Sequence, residues 1–99
     1  MQFMVLAYDG TDDKATERRA AVRDSHLQQA EVWFRHGRWQ YAVGILDEEK
    51  RIVGSMIVCD FSSKKELKEK WLDHEPYVIG KVWERIEVSR VQAAPFLQS

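Results

Sequence analysis

Cysteine is almost absent. With Cys59 alone, no internal disulfide can form, and a single thiol fits a reducing cytoplasm. No apolar stretch approaches the roughly 20 residues a helix needs to cross a bilayer, so no membrane partner is expected. The opening Met1–Tyr8 lacks a positive flank and runs straight into Asp9, which reads as a strand rather than a signal peptide. Neither sign of charge dominates: 15 basic side chains stand against 16 acidic ones, without a basic run, so the electrostatic footprint of a nucleic-acid binder is missing. No glycine-rich phosphate loop is present, which leaves nucleotide cofactors without support. His26, His36 and His74 share no ligand spacing, so no metal and no cofactor is expected. Repeats, low-complexity segments and linkers are missing too, and residues 1–99 read as one domain.

What is present is a regular order of elements. Phe3 to Tyr8 is a short apolar run closed by Asp9-Gly10, a strand and then a turn. A long helical segment follows from about Asp13 to Arg35, with Asp12 or Asp13 as its cap and Gly37 as its C′ residue. Trp39–Leu46 and Arg51–Phe61 read as two strands joined by the polar Asp47–Lys50 connection. Ser63-Lys64-Lys65-Glu66 has capping-box spacing and opens a second helix with Leu67 and Trp71 inward. Pro76 suits the first turn of another short helical piece. Glu84–Val91 alternates Ile86 and Val88 with Arg85, Glu87 and Ser89, a last strand with one wetter face. The tail from Gln92 to Ser99 has no clear assignment.

Strand, helix, strand, strand, helix, strand is an α+β, ferredoxin-like βαββαβ arrangement with an antiparallel sheet and helices on one face. The first and third strands are nevertheless apolar on both faces, so the second face needs cover. The same face of a second copy is the simplest cover, which predicts a homodimer through the open sheet face. Four tryptophans on four separate elements suit core and interface packing better than a stacking platform for bases.

The long helix sets a puzzle. Val22, His26, Ala30 and Trp33 share one face, with Arg19, Arg23, Leu27 and Phe34 beside them. Its first half therefore turns Arg19, Arg23 and His26 toward the sheet. An unpaired buried charge costs several kcal/mol. Either these side chains line a solvated pocket, or carboxylates from elsewhere meet them.

The strand ending in Tyr8-Asp9, the helical Arg23-Asp24-Ser25-His26-Leu27, the Gly44…Gly54-Ser55 hairpin and Glu75-Pro76-Tyr77-Val78 together resemble the YciI-like (YCII-related) family of the dimeric α/β-barrel superfamily. The resemblance spans nearly the whole chain in the right order. It implies a ferredoxin-like protomer, face-to-face dimerisation and a pocket around the helix histidine with an acidic partner. Related members are thought to carry out elimination or dehydrochlorination of small molecules with a His–carboxylate pair. Many members read Asp-Pro-Tyr where this chain has Glu75-Pro76-Tyr77, and the extra methylene relocates the carboxylate.

His26 is the leading catalytic candidate, because imidazole accepts and donates protons near neutral pH. Its orienting carboxylate is either Glu75, at the N-cap of a short helix, or Asp9, at the mouth of the helix–sheet cleft. Arg23 and Arg19 are candidates for holding an anionic substrate group, although pairing with Glu75, Asp9 or Asp60 explains them as well. Tyr77 and Tyr8 can supply hydroxyls to the same pocket, and aromatic packing is their other role. Ser55 lacks a nucleophile elbow and reads as packed. The function that follows is cofactor-free proton transfer, an elimination or isomerisation, on a small and anionic organic molecule in the cytoplasm. The alternative is a dimeric metabolite-binding or accessory protein that uses the same pocket without turnover.

Overall fold

A computed structural model describes residues 1–97 of the chain; residues 98 and 99 of the unassigned tail lie outside the described residues. Its order is β1 (Gln2–Asp9), α1 (Ala15–Arg35), β2 (Trp39–Leu46), β3 (Ile52–Asp60), α2 (Lys64–Glu66), a π-helical turn (Leu67–Trp71), a 3-10 turn (Leu72–His74), α3 (Pro76–Ile79) and β4 (Trp83–Val91), with a last 3-10 turn at Pro95–Leu97. The sheet runs β2-β3-β1-β4, and every pairing is antiparallel. This is the ferredoxin-like α+β fold, with β1 and β3 side by side at its centre.

Register decides what each face carries. Phe3, Val5 and Ala7 lie opposite Cys59, Ile57 and Ser55, and all six are buried under the helices. The alternate set, Met4, Leu6 and Tyr8 with Met56 and Val58, occupies the other face and is only half-buried. On that face β2 adds exposed Tyr41 and Val43, while β4 adds Arg85, Glu87 and Ser89. The open face is thus apolar along its centre and polar along the β4 edge. Gly54 is required where β3 crosses β1: a Cβ there would sit 2.5 Å from the Ala7 carbonyl oxygen.

The aromatic core gathers above the sheet. Trp71 is fully buried and meets Trp39, Phe61 and Trp83 at ring-centroid distances of 5.0, 6.3 and 6.4 Å. Leu67 and Val82 complete its surroundings in the same core.

Helix α1 departs from the expectation in three ways. It starts at Ala15, two residues later than Asp13, with Lys14 at the N-cap and no capping side chain. Asp12 instead accepts a hydrogen bond from the Lys14 N–H and forms a forked ion pair with Arg18 at 2.6 and 2.8 Å. Leu27 and Phe34 are exposed, so the inward stripe is narrower than the sequence implies. Val22, Ala30 and Trp33 pack against the core from its margin, and His26 is the one buried residue of α1. The helix ends as expected. Gly37 has φ +74°, its N–H donates to the Phe34 carbonyl and the Arg38 N–H to the Trp33 carbonyl, a Schellman closure that needs glycine at C′.

The second helical segment is broken by its own sequence. Ser63 Oγ accepts from the Glu66 N–H, but the Glu66 carboxylate returns to the Ser62 N–H rather than to Ser63. After three α residues the chain widens into the π turn and then tightens into the 3-10 turn. Pro76 restarts it at N1, with Glu75 as the N-cap.

Candidate functional site

His26 projects from the middle of α1 toward the point where α3 begins. Glu75, extended at φ −68° and ψ 125°, is the N-cap of α3, and its side chain accepts the Tyr77 N–H at 3.0 Å. The same carboxylate accepts the Trp71 Nε1–H at 3.2 Å. Both Glu75 oxygens lie 3.0 Å from His26 Nδ1. Glu75 is 1 % exposed. A carboxylate in that position survives only with its oxygens satisfied, and here every neighbour is a donor. His26 Nδ1 therefore carries the hydrogen and donates it to Glu75. Nε2 has no protein partner among the described residues and is left for whatever enters the cavity beside it.

Tyr77 fixes the plane of the imidazole. Its ring stacks on His26 with centroids 3.8 Å apart and planes 13° from parallel. Trp39 and Trp83 bound the same ring at 6.0 and 5.9 Å. Their own indole N–H groups are buried without a hydrogen-bond partner among the described residues.

Asp9, the other carboxylate candidate, is not at His26. It takes a forked pair from Arg19, Nε to Oδ2 at 2.7 Å and Nη2 to Oδ1 at 3.1 Å. Arg19 also donates to the Tyr77 hydroxyl at 3.1 Å and, weakly, to Ser55 Oγ at 3.4 Å, with its guanidinium over the Tyr77 ring at 4.6 Å. Burial alone would disfavour the Arg19 cation, yet the hydrogen bonds and charge of Asp9 outweigh it and hold the group above its ordinary pKa. Burial likewise raises the Tyr77 phenol, against the opposing charges of Arg19 and Arg23, so Tyr77 keeps its proton at neutral pH. Arg23, one turn along the helix and exposed, makes no ion pair or hydrogen bond among the described residues. Tyr8 sits on the opposite sheet face under the Arg85 guanidinium, 4.5 Å from its ring, and so does not reach this pocket.

Between α1 and the β2–β3 hairpin lies a cavity of about 180 Å³, lined among others by Arg19, Arg23, His26, Trp39, Ser55 and Tyr77. Exposed Ala42, Gly44 and Ile52 of the hairpin also line it; of these only Gly44 belongs to a motif singled out in the sequence. A second groove, along the outside of α1, is lined by Gln28, Gln29, Val32, Trp33 and His36. His36 Nδ1 is there engaged with the Val32 carbonyl, and no charged side chain lines that groove. Among the described residues no cluster of three metal-ligating side chains occurs, and no helix is long and apolar enough to cross a membrane.

A ferredoxin-like domain with a buried imidazole–carboxylate pair, its histidine lining a small cavity, is the class these observations define. The match to the YCII-related domain runs over residues 1–92, and the chain belongs to that family. It is 29% identical over 94 residues to the protein YciI of Escherichia coli O6:H1 (strain CFT073), covering 89% of this chain and 93% of that one; the YciI of Shigella flexneri matches equally. Among solved structures it is similar to the 5-chloro-2-hydroxyhydroquinone dehydrochlorinase TftG of Burkholderia phenoliruptrix AC1100, determined with 2,5-dihydroxybenzoquinone. The TM-score is 0.81 at 17% identity, over 97% of this chain and 98% of that one. Protein Atu4242 of Agrobacterium tumefaciens is more distant, with a TM-score of 0.55 at 14% identity over 97% and 96%.

Proposed function

We propose that the chain is a small-molecule enzyme whose His26–Glu75 pair carries out cofactor-free elimination on a compact, anionic organic substrate in a reducing cytoplasm. The observation that supports this reading best is the asymmetry of His26. Nδ1 is committed to a buried carboxylate, while Nε2 is left to a cavity also lined by Arg23, which is unpaired among the described residues.

In the proposed reaction Nε2 accepts a proton from an acidic C–H or O–H of the substrate. The electron pair left behind forms a new π bond, and the leaving group departs with the electrons of its own bond. Glu75 stays ionised and stabilises the imidazolium that forms. Arg23 holds the substrate's negative charge. Arg19 is not available for this, because Asp9 neutralises it; its part is to brace Tyr77 and the cavity wall. The Tyr77 hydroxyl accepts from Arg19 and keeps its own proton to donate. The pocket thus offers one base among several donors, which favours an oxyanion-bearing ligand. Its size favours one ring at most, since an engineered apolar cavity of about 150 Å³ takes up benzene.

The dehydrochlorinase of similar fold makes chlorinated hydroxyhydroquinones a rational first probe. The test is chloride release from 5-chloro-2-hydroxyhydroquinone by the wild type and by His26→Gln. Turnover that falls by about 10²-fold or more in the variant supports the reading. Equal rates in the two proteins sink it. Binding of 2,5-dihydroxybenzoquinone with no turnover in the wild type would favour the alternative, a metabolite-binding protein.

A homodimer through the open sheet face accompanies this reading. Met4, Leu6, Met56 and Val58 form a half-buried apolar strip that no element among the described residues covers.

A further inference from the structure

We propose that Trp71 is a positioning residue for the histidine: its indole N–H anchors the Glu75 carboxylate so that both oxygens face His26 Nδ1. The proposal deepens the reading given above, and it rests on contacts that involve no ligand. Each Glu75 oxygen has one anchor besides the imidazole, Trp71 Nε1–H on Oε1 at 3.2 Å and the Tyr77 N–H on Oε2 at 3.0 Å. The terminal torsion of a glutamate is broad and two-fold. One anchor would let the carboxylate swing about the anchored oxygen; two anchors fix its plane.

The backbone around Trp71 is shaped to supply that anchor. The Leu67–Trp71 stretch is π-helical, with wider turns than an α-helix, and Trp71 itself (φ −116°, ψ −67°) then leads into a 3-10 turn. Such π insertions concentrate at functional sites. Here the change of pitch carries the chain from a fully buried indole to a fully buried carboxylate four residues on. Three aromatic rings hold the indole, so packing sets the direction of its N–H independently of Glu75. Trp39 and Trp83 are also buried, at 4 and 5 % exposure, yet their N–H groups find no partner among the described residues, so a tryptophan in this core does not gain one by default.

The test reads the His26 tautomer by ¹⁵N NMR in mildly alkaline buffer, where an ordinary imidazole is neutral. The wild type should show one tautomer, protonated at Nδ1. Trp71→Phe should show a mixture of both, whereas Trp33→Phe, the same substitution at a half-buried tryptophan packed on Phe61, should keep the single tautomer. A Trp71→Phe protein that retains the pure Nδ1–H form would overturn the proposal. If Trp71→Phe fails to fold, the indole N–H of Trp71 is followed in Glu75→Gln instead. A shifted, faster-exchanging signal supports the anchor, and an unchanged one overturns it. Neither result depends on turnover, so this proposal and the catalytic reading stand or fall separately.

Discussion

Arg19 and Asp9 close a forked ion pair at 2.7 and 3.1 Å in the wall of the His26 pocket, with both side chains largely buried. On the proposed reading this pair commits Arg19 to Asp9 and leaves Arg23 to hold the substrate's charge, although Arg19 also lines the cavity. Replacing Asp9 by Asn leaves the largely buried guanidinium without its counter-charge, and breaking such a pair costs about 3 kcal/mol. Urea denaturation of Asp9→Asn should show that loss, while the His26 tautomer stays as in the wild type. A shift in the tautomer would reconnect Asp9 to the histidine.

Arg23 carries the opposite expectation. Exposed and unpaired among the described residues, it contributes little to stability, and Arg23→Gln should unfold within about 0.5 kcal/mol of the wild type. Its affinity for a monoanionic ligand should fall by about tenfold, with a weaker dependence on salt than the wild type shows. Titration calorimetry at two ionic strengths measures both. Unchanged affinity would remove Arg23 from the site.

Tyr77 links stability to the site through two separable contacts. Tyr77→Phe keeps the stack on His26 and loses the hydroxyl that accepts from Arg19, at a cost of about 1 kcal/mol. Tyr77→Ala also removes the ring, and a cavity of that kind costs about 3 to 5 kcal/mol. Chemical denaturation of both variants checks the two magnitudes. Equal losses would mean that the ring contributes nothing beyond its hydroxyl.

Cys59 provides the pH prediction. Burial, helped by the charge of Asp60, pushes its thiol from 9.0 up to about 12. The folded state therefore favours the neutral thiol. The stability this provides is fully present below pH 9.0 and is lost as the pH rises toward about 12. Denaturation midpoints of Cys59→Ala should fall less steeply across that alkaline window than those of the wild type. In the native protein the thiol should also resist iodoacetamide at neutral pH, and rapid alkylation there would contradict its burial.

The apolar strip on the open face gives the assembly prediction. Met56→Glu places a charge among Met4, Leu6 and Val58. It should convert the proposed dimer to a monomer by sedimentation velocity, with the helical cavity and the His26 signals intact. A wild type that sediments as a monomer would rule out the interface.

Much of this was readable from residue patterns because local rules and the global fold agree. Alternation in β1 and β3, the Gly37 closure and Pro76 at N1 all place their elements within one or two residues. Boundaries slipped where side chains had better partners elsewhere. Asp12 leaves the cap position to bind Arg18, and the Glu66 carboxylate turns to Ser62 and Arg38. At the site, the sequence brings His26, Arg19 and Arg23 to one helix face, but it leaves open which carboxylate meets which cation. That choice depends on a π turn that no spacing rule announces. Trp71 stands four residues before Glu75, a spacing that places two side chains on one helical face, so its pairing with Glu75 was within reach. The place of Tyr8 was not: alternation along β1 puts it on one of two faces, and only the register with β3 and β4 decides which.

The measurement that tests the central claim most directly is the protonation pattern of the two His26 ring nitrogens, in the wild type and in Glu75→Gln. The account predicts a single tautomer in the wild type, hydrogen on Nδ1 and a bare Nε2, which becomes a mixture when Glu75 can no longer accept at both oxygens. A wild-type histidine protonated on Nε2, or one indifferent to the substitution, would contradict it, because the nitrogen facing the cavity would then be no base.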